Sequence, residues 1–224
     1  MADGAGEFIE TERKYEAAAR FALPDLAGLD GVAAVTGPQT YRLRAIYFDT
    51  ADFRLLAAKI TLRRRTGGTD AGWHLKLPAG VDSRREVHAP LGRGAGRVPG
   101  RLAELVAGWA GGQPLRPIAR LATTRRVRRL AGGDGEVLAE VADDLVVGSL
   151  PAPATAAAGA DGPGGSGLPE WREASRWREI EIELVTGSRE LLDSAGEALH
   201  RAGAAKSAAA SKLSRLLDSA PGAP

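Results

Sequence analysis

Charged and apolar residues alternate along several short segments of this chain, and this period constrains the fold more than any other feature. In the segment EFIETERKY, residues 7–15, the side chains of Glu10, Glu12 and Lys14 fall two residues apart. Residues two apart point to the same side of a β-strand. The segment therefore predicts a strand with one charged face and one largely uncharged face.

The same period recurs in five further segments, and the sign of the charge differs between them. Carboxylates concentrate on the first and last segments, whereas arginine and lysine concentrate on those between. The residues grouped in this way are Glu10, Glu12, Lys14, Arg63, Arg65, His74, Lys76, Arg84, Glu86, His88, Arg125, Glu179, Glu181 and Glu183. Each strand alone fits the wet side of a half-buried antiparallel sheet. A wet face normally mixes both signs, so the whole set favours the lining of a closed lumen.

Such a lumen predicts a particular kind of ligand. Many cations and a few carboxylates in one cavity are costly to desolvate unless a polyanion fills it. The planar fork of arginine suits phosphate oxygens, because it donates two parallel hydrogen bonds. Carboxylates can hold Mg²⁺ or Mn²⁺, which bridge to phosphate oxygens. The pattern therefore indicates a site for metal and polyphosphate.

Most of the remaining pattern also predicts strands joined by hairpins. The turn AGGDG joins the predicted strands 118–130 and 136–150. The segment 175–187 is predicted as the last strand, and the segment 151–169, rich in Ala, Gly and Pro, as a flexible loop within the domain. Strands with few helices predict an antiparallel sheet or barrel in an α+β domain.

Helices are predicted at four places. They are residues 19–29, 101–112, 188–203 and 207–220. In the second, Leu102, Leu105, Val106 and Trp109 recur at helical spacing and predict an apolar stripe. The third begins at Ser188, a residue type favoured at helix N-caps.

Composition restricts the classes of protein that this chain can represent. The chain has 224 residues, of which 44% are hydrophobic, and it has no cysteine, which excludes disulfides and thiolate metal sites. A net charge of +2 does not suggest a nucleic-acid binder. No signal peptide and no apolar run of ~20 residues is visible. We expect a soluble cytoplasmic protein that binds neither nucleic acid nor membrane.

The segment ETERK, residues 10–14, has the form E-x-E-x-K at an N-terminal strand and resembles the signature of the CYTH domain, the triphosphate tunnel metalloenzyme superfamily. The segments YFDT, ITLRRRT, WHLKLP, RREVHAP, TTRRVRRL, EVADDLV, REIEIEL and SKL follow in that family's order. The resemblance covers residues 7–217, which we expect to form one domain between disordered tails at 1–6 and 218–224. It implies an α+β fold, an eight-stranded antiparallel closed β-barrel with helices packed outside.

The resemblance also implies an activity, since members bind triphosphate groups with a divalent metal. Many hydrolyse inorganic triphosphate, thiamine triphosphate or nucleoside triphosphates. By matching positions, the implied catalytic residues are Glu10, Glu12 and Lys14, and the implied ligands of Mg²⁺ or Mn²⁺ are Glu10, Glu12, Glu181 and Glu183. The implied substrate-binding residues are Arg63, Arg65, Lys76, Arg125 and Lys212, and Glu86 and Glu179 are further tunnel acids.

The sequence departs from the family pattern at Thr123, where many relatives carry a basic residue. Some relatives carry a helical phosphate-binding domain next, and because the sequence stops at Pro224 we expect none here. A class IV-type adenylate cyclase and a non-catalytic polyphosphate or nucleotide-binding module stay open as alternatives to a hydrolase. His74 and His88 suit acid–base chemistry, although a histidine on a strand is more often packed or solvated.

Overall fold

Nine strands and four helices build the protein, in a computed structural model that describes residues 7–80, 82–92, 94, 96–153 and 168–219. The strands are β1 (Glu7–Ala17), β2 (Ala34–Asp49), β3 (Thr61–Thr66), β4 (Gly72–Gly80), β5 (Ser83–Ala89), β6 (Arg116–Ala131), β7 (Val137–Pro151), β8 (Trp171–Leu184) and β9 (Ala205–Lys206). The helices are α1 (Arg54–Ala57), α2 (Gly100–Ala110), α3 (Arg189–Arg201) and α4 (Lys212–Asp218). None of these helices is long and apolar enough to cross a membrane.

The first eight strands form one closed antiparallel barrel, which confirms the predicted fold. Their order is β5-β4-β3-β2-β6-β7-β8-β1, and pairing between β1 and β5 closes the ring. The first half of β1 pairs with β5 and the second half with β8. Strand β9 lies outside the ring and pairs with β1 at Tyr15 and Glu16, so the segment predicted as the last strand is followed by one more short strand.

Two apolar clusters hold helices against the outside of the barrel. Helix α3 contributes Leu191, Ala195 and Leu199 to a cluster with Ile180 and Ile182 of β8. Its start is fixed by Ser188, whose hydroxyl accepts a hydrogen bond from the backbone N–H of Leu191, as its N-cap position predicted. The second cluster joins α1 and α2 to the outer faces of β3, β4 and β5.

The third apolar cluster lies on the inner face of the barrel. Leu213, Leu216 and Leu217 of α4 pack there against residues of β2, β6, β7 and β8 that point inward, including Val146 and Trp177. Helix α4 therefore closes one end of the interior. Asp218 is the last residue of this helix, so the disordered tail predicted for residues 218–224 does not begin at Asp218. Expectations about residues 1–6 and 220–224, and about 154–167 within the predicted loop, fall outside the described residues.

The predicted helix at residues 19–29 is wrong. The backbone there makes isolated turns, such as the one in which the N–H of Phe21 donates to the carbonyl of Ala18. Pro24 cannot continue a helix in this short stretch, and Gly28 favours other conformations. Its apolar residues still reach the core, because Leu26 is buried beside α3.

The apolar stripe predicted for α2 is correct only in part. Leu102 and Val106 are fully buried, but Leu105 and Trp109 are 37% and 48% exposed. The buried positions of α2 are Leu102, Val106 and Ala110, spaced four apart. The helix therefore contacts the barrel along a narrower line than the sequence predicted.

Candidate active site

The interior of the barrel holds a cavity with a charged lining. Side chains from β1, β2, β3, β4, β5, β6 and β8 reach it, together with the start of α4. The residues predicted from sequence that line it are Glu10, Glu12, Lys14, Arg63, Arg65, Lys76, Arg84, Glu86, His88, Arg125, Glu181, Glu183 and Lys212. His74 and Glu179 are absent from this lining, and Glu179 contacts the ammonium of Lys212. The alternation read from the sequence thus brings the predicted residues together.

One wall of the cavity carries crowded carboxylates from β1 and β8. Glu12 lies directly opposite Glu183 in the strand register, and Lys14 lies opposite Glu181. Burial, and then the charges of Glu10 and Glu12, raise the pKa of Glu183 to about 8. Burial also raises the pKa of Glu10, although Lys76 opposes the shift. This crowding of like charge favours the arrival of a cation.

Two lysines partly neutralise this wall. The Nζ atom of Lys76 lies 2.5 Å from Oε2 of Glu10 and 3.4 Å from Oε2 of Glu86. Burial opposes the charge of Lys76, yet attraction to Glu12 and Glu10 raises its pKa above the usual range. Lys14 pairs with Glu12 along the same strand. These pairs allow the charges to coexist in a buried space.

A second group of ion pairs lies near the end that α4 closes. Nε and Nη2 of Arg125 donate to both oxygens of Asp144 at 2.8 and 2.7 Å, and Nη2 also contacts Oε2 of Glu181 at 2.5 Å. Nζ of Lys212 lies 3.0 Å from Asp144 and 2.7 Å from Glu181. Burial opposes ionisation of Glu181, but Lys212 and Arg125 hold its pKa well below the usual range.

Sequence reasoning missed Asp144, which is fully buried in this group. The signal was present, because Asp144 stands between the inward-facing Ala142 and Val146 on β7, opposite Arg125 of β6. A lone acid at an inward position of a strand requires a partner when it is buried. Lys212 donates to three carboxylates, so its predicted contact with substrate would require one of these bonds to be exchanged.

The arginines of β3 are the least neutralised part of the cavity. The Nε donors of Arg63 and Arg65 are buried and have no hydrogen-bond partner within the described part of the chain. Nη1 of Arg63 lies 3.4 Å from the hydroxyl of Tyr47, and Arg65 pairs with Asp70. Burial, and then the charges of Arg63 and Arg125, lower the pKa of Arg65 to about 9. This part of the cavity therefore favours an anion.

Two groups of residues among those described bring three metal-ligating atoms within 4.8 Å of one another. One consists of Asp144, Glu179 and Glu181, and the other of His74, Glu86 and His88. Of the predicted metal ligands, only Glu181 belongs to either group. The other predicted ligands are Glu10, Glu12 and Glu183, which line the same wall as Glu181 but belong to neither group of closely spaced ligand atoms. Their role as metal ligands stays a prediction.

A closed antiparallel barrel with an acidic wall and a basic wall inside defines a tunnel protein for polyanions. The family model of the CYTH domain matches residues 9–217, and this chain belongs to that family. Proteins of this family bind small-molecule triphosphates and depend on metal, and they include triphosphatases and cyclases.

Comparison with individual proteins agrees with this placement. Uncharacterised proteins from two strains of Mycobacterium tuberculosis are 41% identical to this chain over 214 residues, or 93% of its length. The chain spans about 40% of the length of these relatives.

Two solved structures share the fold at low sequence identity. A Bacillus halodurans protein named as a candidate adenylate cyclase aligns with a TM-score of 0.60 at 19% identity, covering 94% of this chain and 98% of its own. A Pyrococcus horikoshii protein aligns with a TM-score of 0.50 at 15% identity, covering 93% and 98%.

Proposed function

We propose that this protein is a divalent-metal-dependent hydrolase of triphosphate-containing compounds, and that residues 7–217 form one domain for this purpose. The observation that carries the proposal is a pair of arginines on β3, Arg63 and Arg65, whose Nε donors are buried. These donors have no hydrogen-bond partner among the described residues, and carboxylates of β1 and β8 line the same cavity. A polyphosphate supplies acceptors for these donors, and a metal on the acidic side offsets its charge.

The donor set fits Mg²⁺ or Mn²⁺. Both ions prefer oxygen ligands, and Glu10, Glu12, Glu181 and Glu183 present only carboxylate oxygens to the cavity. The raised pKa of Glu183 reports crowding that a dication would relieve. When bound, the metal supplies charge stabilisation to the phosphate oxygens during transfer.

The remaining steps belong to the chain's own side chains. Arg63, Arg65 and Arg125 orient the phosphate groups, and Lys76 supplies a further positive charge beside them. An ionised carboxylate of Glu10 or Glu12 accepts a hydrogen bond from the attacking water and takes its proton. Water oxygen bonds to the terminal phosphorus as the bridging P–O bond breaks. The remaining diphosphate portion takes the electron pair of that bond, and the terminal group is released as inorganic phosphate. Positioning and electrostatics of this kind carry most of phosphoryl transfer.

Product analysis tests this function directly. Purified protein is incubated with Mg²⁺ or Mn²⁺ and, in turn, tripolyphosphate, thiamine triphosphate and ATP. We expect release of inorganic phosphate from at least one of the three. Formation of cyclic AMP from ATP would instead identify a cyclase, and tight binding without turnover would identify a sensor.

Substitution of the acidic wall provides the matched test. Glu10→Gln and Glu12→Gln should each abolish turnover while leaving a folded protein, because an amide lacks the charge that a hard dication requires. The control is Glu104→Gln, which changes an exposed residue of α2 in the same way. If either tunnel variant hydrolysed triphosphate at the wild-type rate, the metal assignment would be wrong.

A further inference from the structure

Two histidines and a glutamate converge on β4 and β5, beside the arginines of β3. Nδ1 of His74 lies 2.7 Å from Oε1 of Glu86, and Nε2 of His88 lies 2.9 Å from the same oxygen. His74 and His88 are direct partners in the strand register, and their ring centroids are 4.1 Å apart. The proposed function uses neither histidine, and the chain has only one other, His200.

The hydrogen bonds of His74 leave a place for a cation. Its Nε2 lies 2.9 Å from the backbone carbonyl oxygen of Asp70, while its Nδ1 faces the Glu86 carboxylate. Both ring nitrogens thus face oxygen acceptors, but a neutral imidazole carries one hydrogen. If that hydrogen goes to Asp70, the lone pair of Nδ1 points at a carboxylate oxygen. A cation between these two atoms would satisfy both. His74 is 1% exposed, so its ring nitrogens depend on protein groups or a bound ion for partners.

We propose that His74, Glu86 and His88 bind a transition-metal dication, such as Zn²⁺ or Mn²⁺, at a site separate from the carboxylate wall. Imidazole nitrogen suits these ions and discriminates against Mg²⁺. The three candidate ligand atoms all lie within 4.8 Å of one another, so small shifts of the rings and the carboxylate would place them around one ion. The Asp70 carbonyl supplies the second-shell acceptor that typically orients a metal-ligating histidine.

The surroundings keep this site available. Lys76 contacts Oε2 of Glu86, so Oε1 is the oxygen that faces the two rings. Asp70 pairs with Arg65 and Glu10 pairs with Lys76, which offsets two of the neighbouring positive charges. Arg63 lies opposite His74 in the strand register, and its charge opposes the ion, so the charge of Glu86 has to outweigh it. The side chain of His88 is 31% exposed and lines the cavity, which gives an ion a route to the site.

The test titrates metal-free protein with Co²⁺ in excess Mg²⁺, which occupies the carboxylate wall, and follows visible absorption bands whose position and intensity change when imidazole nitrogen replaces oxygen ligands. No triphosphate is present, so the result is independent of the proposed hydrolase activity. We expect one Co²⁺ bound with imidazole ligation, displaced by Zn²⁺ but not by Mg²⁺. His88→Ala should weaken binding by about 10-fold or more. His200→Ala removes an exposed histidine of α3 and should bind like wild type.

A second variant guards against loss of fold. Glu86→Gln keeps the shape of the side chain but removes its charge, and it should also weaken Co²⁺ binding by about 10-fold or more. Circular dichroism of each variant verifies its fold. Absence of bands from imidazole-bound Co²⁺ in the wild type would overturn the proposal, and so would equal Co²⁺ affinity in wild type and a folded His88→Ala protein. His74, Glu86 and His88 would then form a hydrogen-bonded group that binds no metal.

Discussion

At the scale of single residues, most charged side chains inside this barrel form ion pairs, but the positive charge around Arg63 on β3 is not neutralised in this way within the described part of the chain. Glu10 with Lys76, and Asp144 with Arg125, bring opposite charges into contact in buried positions. Removing one partner of such a pair is costly, because it leaves a buried charge uncompensated. Arg63 lacks an acidic partner of this kind among the described residues, and this imbalance points to the ligand.

His74 gives a pH-dependent prediction at the same scale. Its pKa is about 3 in the folded protein and about 6.5 in an unfolded chain. Between these values the unfolded chain binds a proton that the folded protein does not. The free energy of unfolding should therefore fall as pH falls from about 6.5 towards 3, by up to about 1.4 kcal/mol per pH unit from this group.

Urea denaturation of metal-free protein at about pH 6.5, 5.5 and 4.5 measures this slope. His74→Gln should lose the contribution and show a shallower dependence, whereas His200→Gln should keep the wild-type slope. Comparing slopes avoids confusion with any constant loss of stability in the variant. Equal slopes for His74→Gln and wild type would show that His74 does not stay neutral in the fold.

The alternation of charge predicted which side chains share the cavity, because strand geometry fixes the face on which each residue lies. It could not predict the partners. Asp70 lies in a turn, where period two carries no information, and yet it pairs with Arg65. Glu179 contacts Lys212 at the start of α4 and does not line the cavity, whereas Glu181 does. This difference depends on the packing of α4 inside the barrel, which the alternation along β8 does not predict.

At the scale of elements, hairpins were easier to predict than short helices. The turn between β6 and β7 and the hairpin of β4 and β5 follow from residues adjacent in sequence. Residues 19–29 had helical composition, but their apolar side chains are buried from an irregular backbone, so burial overrode local preference. Helix α4 was predicted as a helix, but its position inside the barrel depends on contacts far along the chain.

Helix α4 should contribute strongly to stability through its inner face. Leu216 is fully buried against Trp177 and its neighbours, so Leu216→Ala should lower the free energy of unfolding by about 2–5 kcal/mol. Leu145→Ala is the matched control, because Leu145 is 47% exposed on β7. We expect the control to change stability by about 0.5 kcal/mol or less. Denaturation curves of both variants give the comparison, and similar losses would contradict this role of α4.

The segment between β7 and β8 should be dispensable for folding. Pro151 pairs with Trp171, and the N–H of Ala152 donates to the carbonyl of Glu170 at 2.8 Å, so the strands already meet where the segment leaves. Loop length affects closure entropy only weakly. Deleting about residues 155–168 should therefore change the thermal midpoint little, and a large loss of stability or activity would assign this segment a structural role.

At the scale of the whole molecule, closure of the barrel turns a charged sheet face into a cavity. The pairing of β1 with both β5 and β8 completes the ring and brings the acids of β1 towards the arginines of β3. The sequence predicted this closure in two ways, from the separation of acidic and basic residues between strands and from its resemblance to the CYTH domain. Alternation within a single strand also fits an open sheet. Substrate identity lies beyond such a pattern, because the proposed contacts reach only the phosphate groups.

The central claim is that Arg63 and Arg65 hold phosphate, and they should therefore lower stability when no ligand is bound. Burial, and then repulsion by Arg63 and Arg125, lower the pKa of Arg65. Burial opposes the charge of Arg63, whereas Tyr47, Glu86 and Glu10 raise its pKa. The cost in the ligand-free protein is therefore expected chiefly at Arg65. Replacing both by Gln should leave the ligand-free protein as stable as wild type or more stable. We expect tripolyphosphate to bind only the folded cavity, so at about 100 times its Kd it should stabilise wild type by about 2.7 kcal/mol.

The most direct test is a set of thermal melts with and without tripolyphosphate and Mg²⁺. The proteins are wild type, Arg63→Gln/Arg65→Gln, and the control Arg42→Gln/Arg44→Gln, which changes exposed arginines at the same spacing on β2. We expect the Arg63/Arg65 variant to lose most of the ligand-induced shift and the control to keep it. A full shift in the Arg63/Arg65 variant would contradict the account at its centre, because these arginines would then not be holding phosphate.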